Sequence, residues 1–161
     1  MMNYNIVNEL SRRLTAKSQS IAVAESVTAG LITTTLSRAD NATKFLQGGL
    51  TAYNLGQKTR NLNVDPILAD SVNCVSEKVC QQMAIGVGRL FCSHWGIAIT
   101  GYAVPVPALG IDTCFAFYAF ASCGEIVDVG RLESTMREQD KNQEYFTDLL
   151  LNAFLKTVKA F

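Results

Sequence analysis

The chain has 161 residues, of which 48% are apolar and 17% are charged, and its 14 basic and 14 acidic side chains give a formal net charge of zero. This composition excludes a disordered chain and predicts one domain over residues 1–161 with a filled hydrophobic core. A neutral chain without basic runs among its aromatic residues is not expected to take nucleic acid as its main ligand. No stretch reaches the ~18 apolar residues that span a membrane, and the polar N-terminus lacks the apolar core of a signal peptide, so we expect a cytoplasmic protein without a membrane partner.

The cysteines and the single histidine indicate neither a metal site nor a disulfide framework. The cysteine spacing contains no CxxC pair, and an odd number of thiols cannot pair completely within one chain. We interpret them as reduced thiols in or near the core, and we predict no metal and no cofactor. His94 lies in a turn that ends a helix, which explains it without catalysis, so a Ser-His-Asp triad is not predicted. The five cysteines are Cys74, Cys80, Cys92, Cys114 and Cys123.

The hydrophobic pattern, taken in chain order, alternates helices with short apolar strands. The predicted helices cover residues 3–16, the segment from the turn at 25–30 to about 37, a short segment starting at 65–66, residues 76–91, and the chain from about 139 onward. The predicted strands cover 21–24, 45–53, 96–100, 114–121 and 126–132, with a proline-containing loop at 102–112 and a hairpin between the last two strands. This order predicts the α/β class, as a three-layer α/β/α sandwich whose central sheet is mixed.

The stretch after the first predicted strand is the most informative part of the chain. Glu25, Ser26, Thr28 and Gly30 follow the strand in quick succession and precede a helix. Such a strand-to-helix turn brings backbone N–H groups and hydroxyl oxygens together, which suits anion binding or a nucleophile. The alternative is that Ser26 or Thr28 only caps the helix, which is the commoner use of these residues at such turns.

Two other predicted strand ends carry groups that are capable of chemistry. Tyr53 and Lys58 follow the second strand, whose paired glycines indicate a bulge or a close backbone approach. Thr100 and Gly101 follow the third strand. Parallel neighbouring strands would bring these groups to one edge of the sheet beside Ser26. A buried lysine can activate a serine, whereas the plainer alternatives are a solvated surface lysine and a tyrosine in the core.

Four segments in this order, AESVTAG, GGLTAYNLGQK, VSEKV and AITGYAVP, resemble the C-terminal domain family of CinA over nearly the whole chain. The resemblance implies an α/β/α sandwich that acts alone, without the N-terminal domain of longer members. It also implies nicotinamide-nucleotide amidase activity, which converts nicotinamide mononucleotide and water to nicotinate mononucleotide and ammonia. The implied partner is therefore a small nucleotide or amide substrate.

The resemblance assigns roles to the residues that match the family's motifs. Ser26 would be the nucleophile and Lys58 its base, while Thr28 and neighbouring N–H groups would stabilise the oxyanion or orient the substrate. The remaining matched positions would bind substrate: Glu25, Gly30, Gly49, Tyr53, Thr100, Gly101, Arg137 and Lys141.

The chain departs from the family most clearly in the loop after the third strand. The family's glycine-rich loop is shortened here, Val104 stands where a glycine precedes the proline, and Asp112 stands where a glycine precedes a threonine. Valine and proline hinder the approach of N–H groups to a phosphate, and Asp112 would repel it, although Arg137 and Lys141 could still hold one.

These departures leave a second hypothesis beside the amidase. The chain could be a respecialised paralogue that keeps the fold and acts as a ligand-binding or protein-interaction module. Apolar helices and a glycine-bearing strand leave surface for a homo-oligomer. A role in DNA uptake or damage response is suggested only by the family's name, and the neutral charge does not support it.

Overall fold

The computed structural model describes residues 4–161, which build one five-stranded sheet with helices on both faces. The strand order is β2-β1-β3-β4-β5. Strand β1 pairs in parallel with both β2 and β3, whereas β3–β4 and β4–β5 are antiparallel. The strands are β1 Ile21–Glu25, β2 Leu46–Thr51, β3 Trp95–Tyr102, β4 Cys114–Ser122 and β5 Glu125–Ser134. The predicted three-layer sandwich with a mixed sheet is confirmed.

Six α-helices cover the sheet within the described residues. They are α1 Tyr4–Ala16, α2 Leu31–Ser37, α3 Leu55–Leu62, α4 Pro66–Ser71, α5 Glu77–Leu90 and α6 Gln139–Ala160. Two helix starts bear on the site. Helix α2 begins at Leu31, after the turn that residues 26–30 form. Helix α3 begins at Leu55 and is capped by the side chain of Asn54, where the sequence allows either a turn or a helix start.

Two predicted strand boundaries are also corrected. Strand β2 ends at Thr51 rather than at residue 53, so Tyr53 lies beyond the sheet. Strand β3 continues to Tyr102, because its last residues pair with β4 up to Phe115. The loop that follows contains one short helical turn at Pro107–Leu109 and is closed by paired hydrogen bonds between Val106 and Ile111.

The two faces of the sheet bury side chains of different size. Ile21 and Val23 of β1 face a core with Trp95, Phe120 and Phe154 under α1, α2 and α6. The alternate residues of β1 are alanines, and they face a second core under α3, α4 and α5. Alternation along a strand sends neighbours to opposite faces, and small side chains let a helix approach the sheet closely. The α3–α5 face is therefore the more closely packed one.

The register aligns three strand ends at one edge of the sheet. Glu25, the last residue of β1, is opposite Thr51 of β2 and Ile99 of β3. Ser26 and Thr100 therefore come at the same level, next to the segment that leads into α3. Ligands of open α/β sheets collect at such carboxyl ends.

Candidate functional site

The turn after β1 is organised by Glu25, which is completely buried. Its carboxylate accepts hydrogen bonds from the backbone N–H groups of Gly30, Ile32 and Thr33 at 2.7–3.0 Å. It also accepts from the hydroxyls of Thr28 at 2.6 Å and Thr33 at 2.7 Å. These five bonds satisfy orphan N–H groups at the start of α2 and hold the turn that carries Ser26.

Ser26 and Lys58 are in direct contact. The Nζ atom of Lys58 lies 2.9 Å from the Oγ atom of Ser26 and donates a second hydrogen bond of 2.8 Å to the carbonyl of Ala52. Lys58 comes from the first turns of α3, and its side chain is 1% exposed. The alternative of a solvated surface lysine is therefore wrong. Ser26 does not cap α2 either, because that helix has Gly30 at its start and no side-chain cap.

The environment of Lys58 favours its neutral form. Burial lowers the pKa of the Lys58 amine, and the Cys74 and Cys80 thiols oppose this shift more weakly. No carboxylate pairs with the amine among residues 4–161. Burial also raises the pKa of the Cys80 thiol, which keeps it neutral. A buried lysine without a counter-ion loses its proton at a lower pH than a solvated lysine does, which makes its lone pair more available.

A cleft of about 410 Å³ opens beside this pair. Its volume is in the range of small-molecule sites, and it passes between the ends of β1 and β3, the start of α3 and the end of α4. Among the residues singled out from the sequence, Ser26, Tyr53, Lys58, Thr100 and Gly101 line it. The predicted convergence of three strand ends is thus present.

Four other predicted residues lie outside the lining and support it. The Thr28 hydroxyl donates its hydrogen to Glu25, so it is already engaged. Gly30 adopts the left-handed conformation that precedes α2, with φ of 101°. A Cβ on Gly49 would clash with the side chain of Thr33, so this glycine lets β2 and α2 pack closely. For Glu25 and these three residues the structure indicates a structural contribution, beside the predicted contact with substrate or oxyanion.

The basic residues expected to hold a phosphate also lie outside the cleft lining. Arg137 and Lys141 are exposed, and the Lys141 Nζ lies 3.5 Å from a carboxylate oxygen of Glu138. Gln139 is the residue of this segment that reaches the cleft. Asp112, which was expected to repel a phosphate, is exposed and does not line the cleft.

The sequence prediction missed part of the cleft wall. Asp70 and Asn73 come from α4 and the turn after it, and the Asn73 amide donates to the Tyr102 hydroxyl across the cleft at 3.1 Å. Cys74 follows, and its carbonyl accepts from the Thr100 hydroxyl at 2.9 Å. In the sequence, these residues are marked only by the polar end of the short helix that starts at Asp65-Pro66. That pattern does not show that the helix packs beside Ser26 and Lys58.

Neither a metal centre nor a membrane span is found in the described chain. Residues 4–161 contain no cluster of three or more His, Cys, Asp and Glu side chains that could hold a metal ion. No helix in this range is long and apolar enough to cross a membrane. The groups that line the cleft are hydroxyl, amine, amide and carboxylate groups.

Fold and site together define a three-layer α/β/α domain with a buried serine–lysine pair at the carboxyl edge of its sheet. A sequence profile of the family described as the CinA C-terminal domain matches residues 3–157. The chain belongs to this family, as the resemblance predicted.

Two relatives with similar sequences differ in how much of their length the chain covers. Protein MG115 of Mycoplasma genitalium is 31% identical over 151 residues, which are 91% of this chain and 93% of that protein. A CinA-like protein of Mycobacterium avium (strain 104) is 40% identical over 99 residues, or 62% of this chain. That match covers 23% of the longer protein, so the chain corresponds to a small part of such relatives.

Solved structures of the CinA superfamily share the fold. The competence-damaged protein (CinA) superfamily protein of Klebsiella pneumoniae 700603 has a TM-score of 0.90 at 22% identity, with 99% of this chain and 100% of that chain covered. A superfamily protein of Escherichia coli has a TM-score of 0.81 at 26% identity, with 96% of this chain and 87% of that chain covered.

Proposed function

We propose that this chain is an amidohydrolase in which Ser26 is the nucleophile and Lys58 is the general base. The observation that carries the proposal is the 2.9 Å contact between Lys58 Nζ and Ser26 Oγ beside a small-molecule cleft. Lysine is a suitable base here because burial lowers the pKa of its amine. The family resemblance implies the carboxamide of nicotinamide mononucleotide as the substrate.

The first half of the reaction transfers an acyl group to the enzyme. Neutral Lys58 takes the proton of the Ser26 hydroxyl while Oγ attacks the carbonyl carbon of the amide, and the carbonyl electrons move to oxygen. The tetrahedral species collapses when Lys58 gives its proton to the amide nitrogen, so the C–N bond breaks and ammonia leaves. The products of this half are ammonia and an ester between the acyl group and Ser26.

The second half releases the acid. Lys58, neutral again, takes a proton from a water molecule that attacks the ester carbonyl, and it returns this proton to Ser26 Oγ as the C–O bond breaks. The carbonyl of Ala52 accepts one N–H of the amine, which leaves the lone pair for Ser26 or water. Overall, one water is consumed and one carboxylic acid and one ammonia are formed.

Other groups support this assignment. The backbone N–H group of Val27, a residue that lines the cleft, has no hydrogen-bond acceptor within residues 4–161, which suits a donor to a developing oxyanion. The amide of Gln143 donates to the Val27 carbonyl at 3.0 Å and so ties the turn to α6. Tyr53 is 62% exposed at the cleft, and its ring is available to stack on an aromatic amide.

The test is release of ammonia from nicotinamide mononucleotide and from simpler carboxamides by the purified protein. We expect Ser26→Ala and Lys58→Met each to lower kcat/KM by roughly a thousandfold or more, and the double variant to cost little beyond either one, since the two groups act as a unit. Lys78→Met, which removes an exposed lysine of α5 outside the cleft, is the matched control and should retain activity.

Two results would count against the proposal. If Ser26→Ala still turned over the amide, Ser26 would not be the nucleophile. Absence of turnover on every carboxamide, together with thermal stabilisation by one of them, would instead support the ligand-binding module.

A further inference from the structure

The turn that carries Ser26 is held at its middle by a residue from a distant element. Ser26 to Ala29 form a β-turn, in which the Ala29 N–H donates to the Ser26 carbonyl at 3.1 Å. This bond closes the two ends of the turn and leaves its central peptide, between Val27 and Thr28, without a bond from the turn itself. The carbonyl of the central peptide accepts instead from the Gln143 amide at 3.0 Å, which lies on α6 and 116 residues further along the chain.

Val27 brings a backbone donor to the cleft from this turn. Its N–H has no acceptor within residues 4–161, and Val27 lines the cleft together with Ser26. The peptide that contains this N–H is bonded through the Ser26 carbonyl, and the following peptide is bonded through Gln143. Because the N–H and C=O of a planar trans peptide point in opposite directions, a bond to the carbonyl also aims the N–H. Both peptides that flank Val27 are therefore oriented.

The neighbour of Gln143 in the chain holds a second backbone segment of the cleft. Asn142 is completely buried, and its amide donates to the carbonyls of Ala103 at 2.8 Å and Met136 at 2.9 Å. Ala103 follows β3 directly and lines the cleft. Two consecutive amide side chains of α6 thus hold the backbone that follows β1 and the backbone that follows β3.

Helix α6 is a firm anchor for these bonds. It has 22 residues, and its buried side chains Phe146, Leu150 and Phe154 belong to the core on this face of the sheet. Gln139, four residues before Gln143 and therefore on the same face of the helix, lines the cleft itself. The beginning of α6 is one side of the cleft, and the Gln143 bond connects it to the turn with the proposed nucleophile.

A donor to an oxyanion contributes to catalysis only when it is placed accurately. It must lie about 2.7–3.1 Å from the position that the oxygen occupies after attack, and a misplacement of about 1 Å can cost a hundredfold in rate. The turn at Ser26 has to present a hydroxyl and an N–H to the same carbonyl group. A bond at the middle of this turn is suited to keep that arrangement.

We propose that Gln143 is a positioning residue for the oxyanion site, which holds the turn through the Val27 carbonyl so that the Ser26 hydroxyl and the Val27 N–H face one substrate carbonyl. This role rests on the proposed amidase function and adds the residue that orients the oxyanion donor. The negative charge develops on the carbonyl oxygen only after Ser26 attacks. Loss of Gln143 should therefore lower kcat and leave KM nearly unchanged.

The first experiment replaces the amide by a group of similar length without a donor, in Gln143→Met. We expect kcat for ammonia release from nicotinamide mononucleotide to fall about ten- to a hundredfold, while KM changes by less than about twofold. Gln143→Glu keeps the shape but places an acceptor against the Val27 carbonyl, so it should lose at least as much. A glutamate variant with the kcat of the parent would show that shape alone matters, and would overturn the role.

Gln81→Met is the matched control for the loss of an amide. The Gln81 amide donates to the Glu77 carboxylate on α5 at 3.1 Å, and the residue lies outside the cleft lining. Its kinetic constants should equal those of the parent. A fall in kcat as large as that of Gln143→Met would mean that the effect does not come from the bond to Val27.

The second experiment examines the oxyanion site without turnover, with pyridine-3-boronic acid as the probe. Ser26 Oγ adds to the trigonal boron and Lys58 takes the hydroxyl proton, so a B–O bond forms, no group leaves, and a tetrahedral anion results. One oxygen of this anion takes the place of the oxyanion, so the adduct resembles the transition state. By calorimetry, Gln143→Met should weaken the boronate by about the same factor as kcat. Affinity for nicotinamide mononucleotide, measured in the Ser26→Ala background, should change by less than about twofold.

The role of Gln143 and the amidase function fail in distinguishable ways. If the boronate binds in a Ser26-dependent manner and Gln143→Met binds it as tightly as the parent, the role of Gln143 is wrong and Ser26 remains the nucleophile. If Gln143→Met weakens the boronate and the mononucleotide equally, the bond supports the fold only, and the role is again wrong. If the parent neither binds the boronate nor releases ammonia, the amidase function fails, and the role of Gln143 fails with it.

Discussion

A buried lysine can act as a base only at pH values where it has lost its proton, and this makes Lys58 testable by titration. Because burial lowers the pKa of its amine, kcat/KM should rise with pH through that lowered pKa and then level off below the ordinary lysine range. The measurement is a pH profile of ammonia release. The rising limb should disappear in Lys58→Arg, whose residual rate has no titrating base. A profile that is flat in the parent protein would contradict the assignment.

The same pKa shift predicts a dependence of stability on pH. Between the lowered pKa in the folded protein and the ordinary pKa in the unfolded chain, only the unfolded chain holds the proton on this lysine. The contribution of Lys58 to the free energy of unfolding therefore increases as pH rises through this window, and it is lost as pH falls through the folded pKa. The free energy of unfolding is measured by urea denaturation as a function of pH for the parent and for Lys58→Met. The difference between the two curves separates the contribution of Lys58 from that of other titrating groups.

Glu25 offers a second prediction at the scale of one residue. Glu25→Gln keeps the size of the side chain but replaces one oxygen by an NH2 group that cannot accept hydrogen bonds. One oxygen accepts from Thr28, Gly30 and Ile32 and the other accepts twice from Thr33. The threonine hydroxyls can turn to accept from the new NH2 group but a backbone N–H cannot, so either amide orientation leaves at least one backbone N–H unpaired. We expect a loss of about 2–4 kcal/mol in the free energy of unfolding, as for buried donors without partners.

The matched control for this substitution is Glu144→Gln, on an exposed position of α6. It should change the free energy of unfolding by less than about 0.5 kcal/mol, which is usual for surface positions. Urea denaturation at constant m-value compares the two variants. Equal effects would show that the carboxylate of Glu25 is not needed to hold the turn.

At the scale of elements, the packing of α5 against α3 positions Lys58. Gly86 of α5 lies against the carbonyl of Leu62 in α3, and a Cβ there would clash with it. We expect Gly86→Ala to lower the free energy of unfolding by roughly 1–3 kcal/mol, as for overpacked cores, and to lower kcat/KM because α3 must shift.

Gly88, two residues further along the same helix, is the matched control. A Cβ at Gly88 would have its nearest neighbour at 3.7 Å, which is ordinary contact. Gly88→Ala should therefore stabilise the protein by about 0.5–1 kcal/mol through helix propensity alone and leave activity unchanged. Thermal unfolding of both variants measures the pair, and destabilisation by Gly88→Ala would contradict the packing argument.

The strands and the long helices could be predicted because their apolar periods reflect burial on one or both faces. Strand β1 is buried throughout, and its four apolar residues stand out in the sequence. The start of α2 could not be predicted this way, since the turn at residues 26–30 is held by Glu25, the last residue of β1, which looks like a surface acid in the sequence. Strand β3 extends past Thr100 only because β4 pairs with it.

The same limit applies to the cleft. Ser26 and Lys58 were predicted together because motifs from two strand ends matched one family, and local patterns alone favoured a helix cap and a surface lysine. Asp70 was missed because α4 has only six residues and its packing depends on the rest of the fold. Which residues line a cleft depends on which elements pack together. The residues of a short polar helix do not by themselves predict that packing.

At the scale of the whole molecule, the two cores are separated by the sheet and still belong to one folding unit. Trp95, the single tryptophan, packs edge-on against Phe154 at 5.4 Å, and Phe154 also packs against Phe120 at 5.0 Å. These rings lie between α6 and the sheet, and Phe154 is itself part of α6. Lys58 lies on the opposite face, which α3 and α5 cover. Tryptophan fluorescence thus reports on one face, and ammonia release reports on the other.

Phe154→Leu is predicted to separate stability from catalysis. Loss of the ring contacts should lower the free energy of unfolding by about 1–3 kcal/mol, because each aromatic pair contributes beyond its buried area. Trp95 fluorescence and far-ultraviolet circular dichroism should shift together to lower urea with the same m-value, as in a two-state domain. Below the transition, the pH profile of kcat/KM should keep its shape, since the contact between Ser26 and Lys58 does not involve these rings. Two separate unfolding transitions would show that the two faces of the sheet do not unfold as one unit. A shifted rising limb in the pH profile would show that the aromatic cluster affects Lys58.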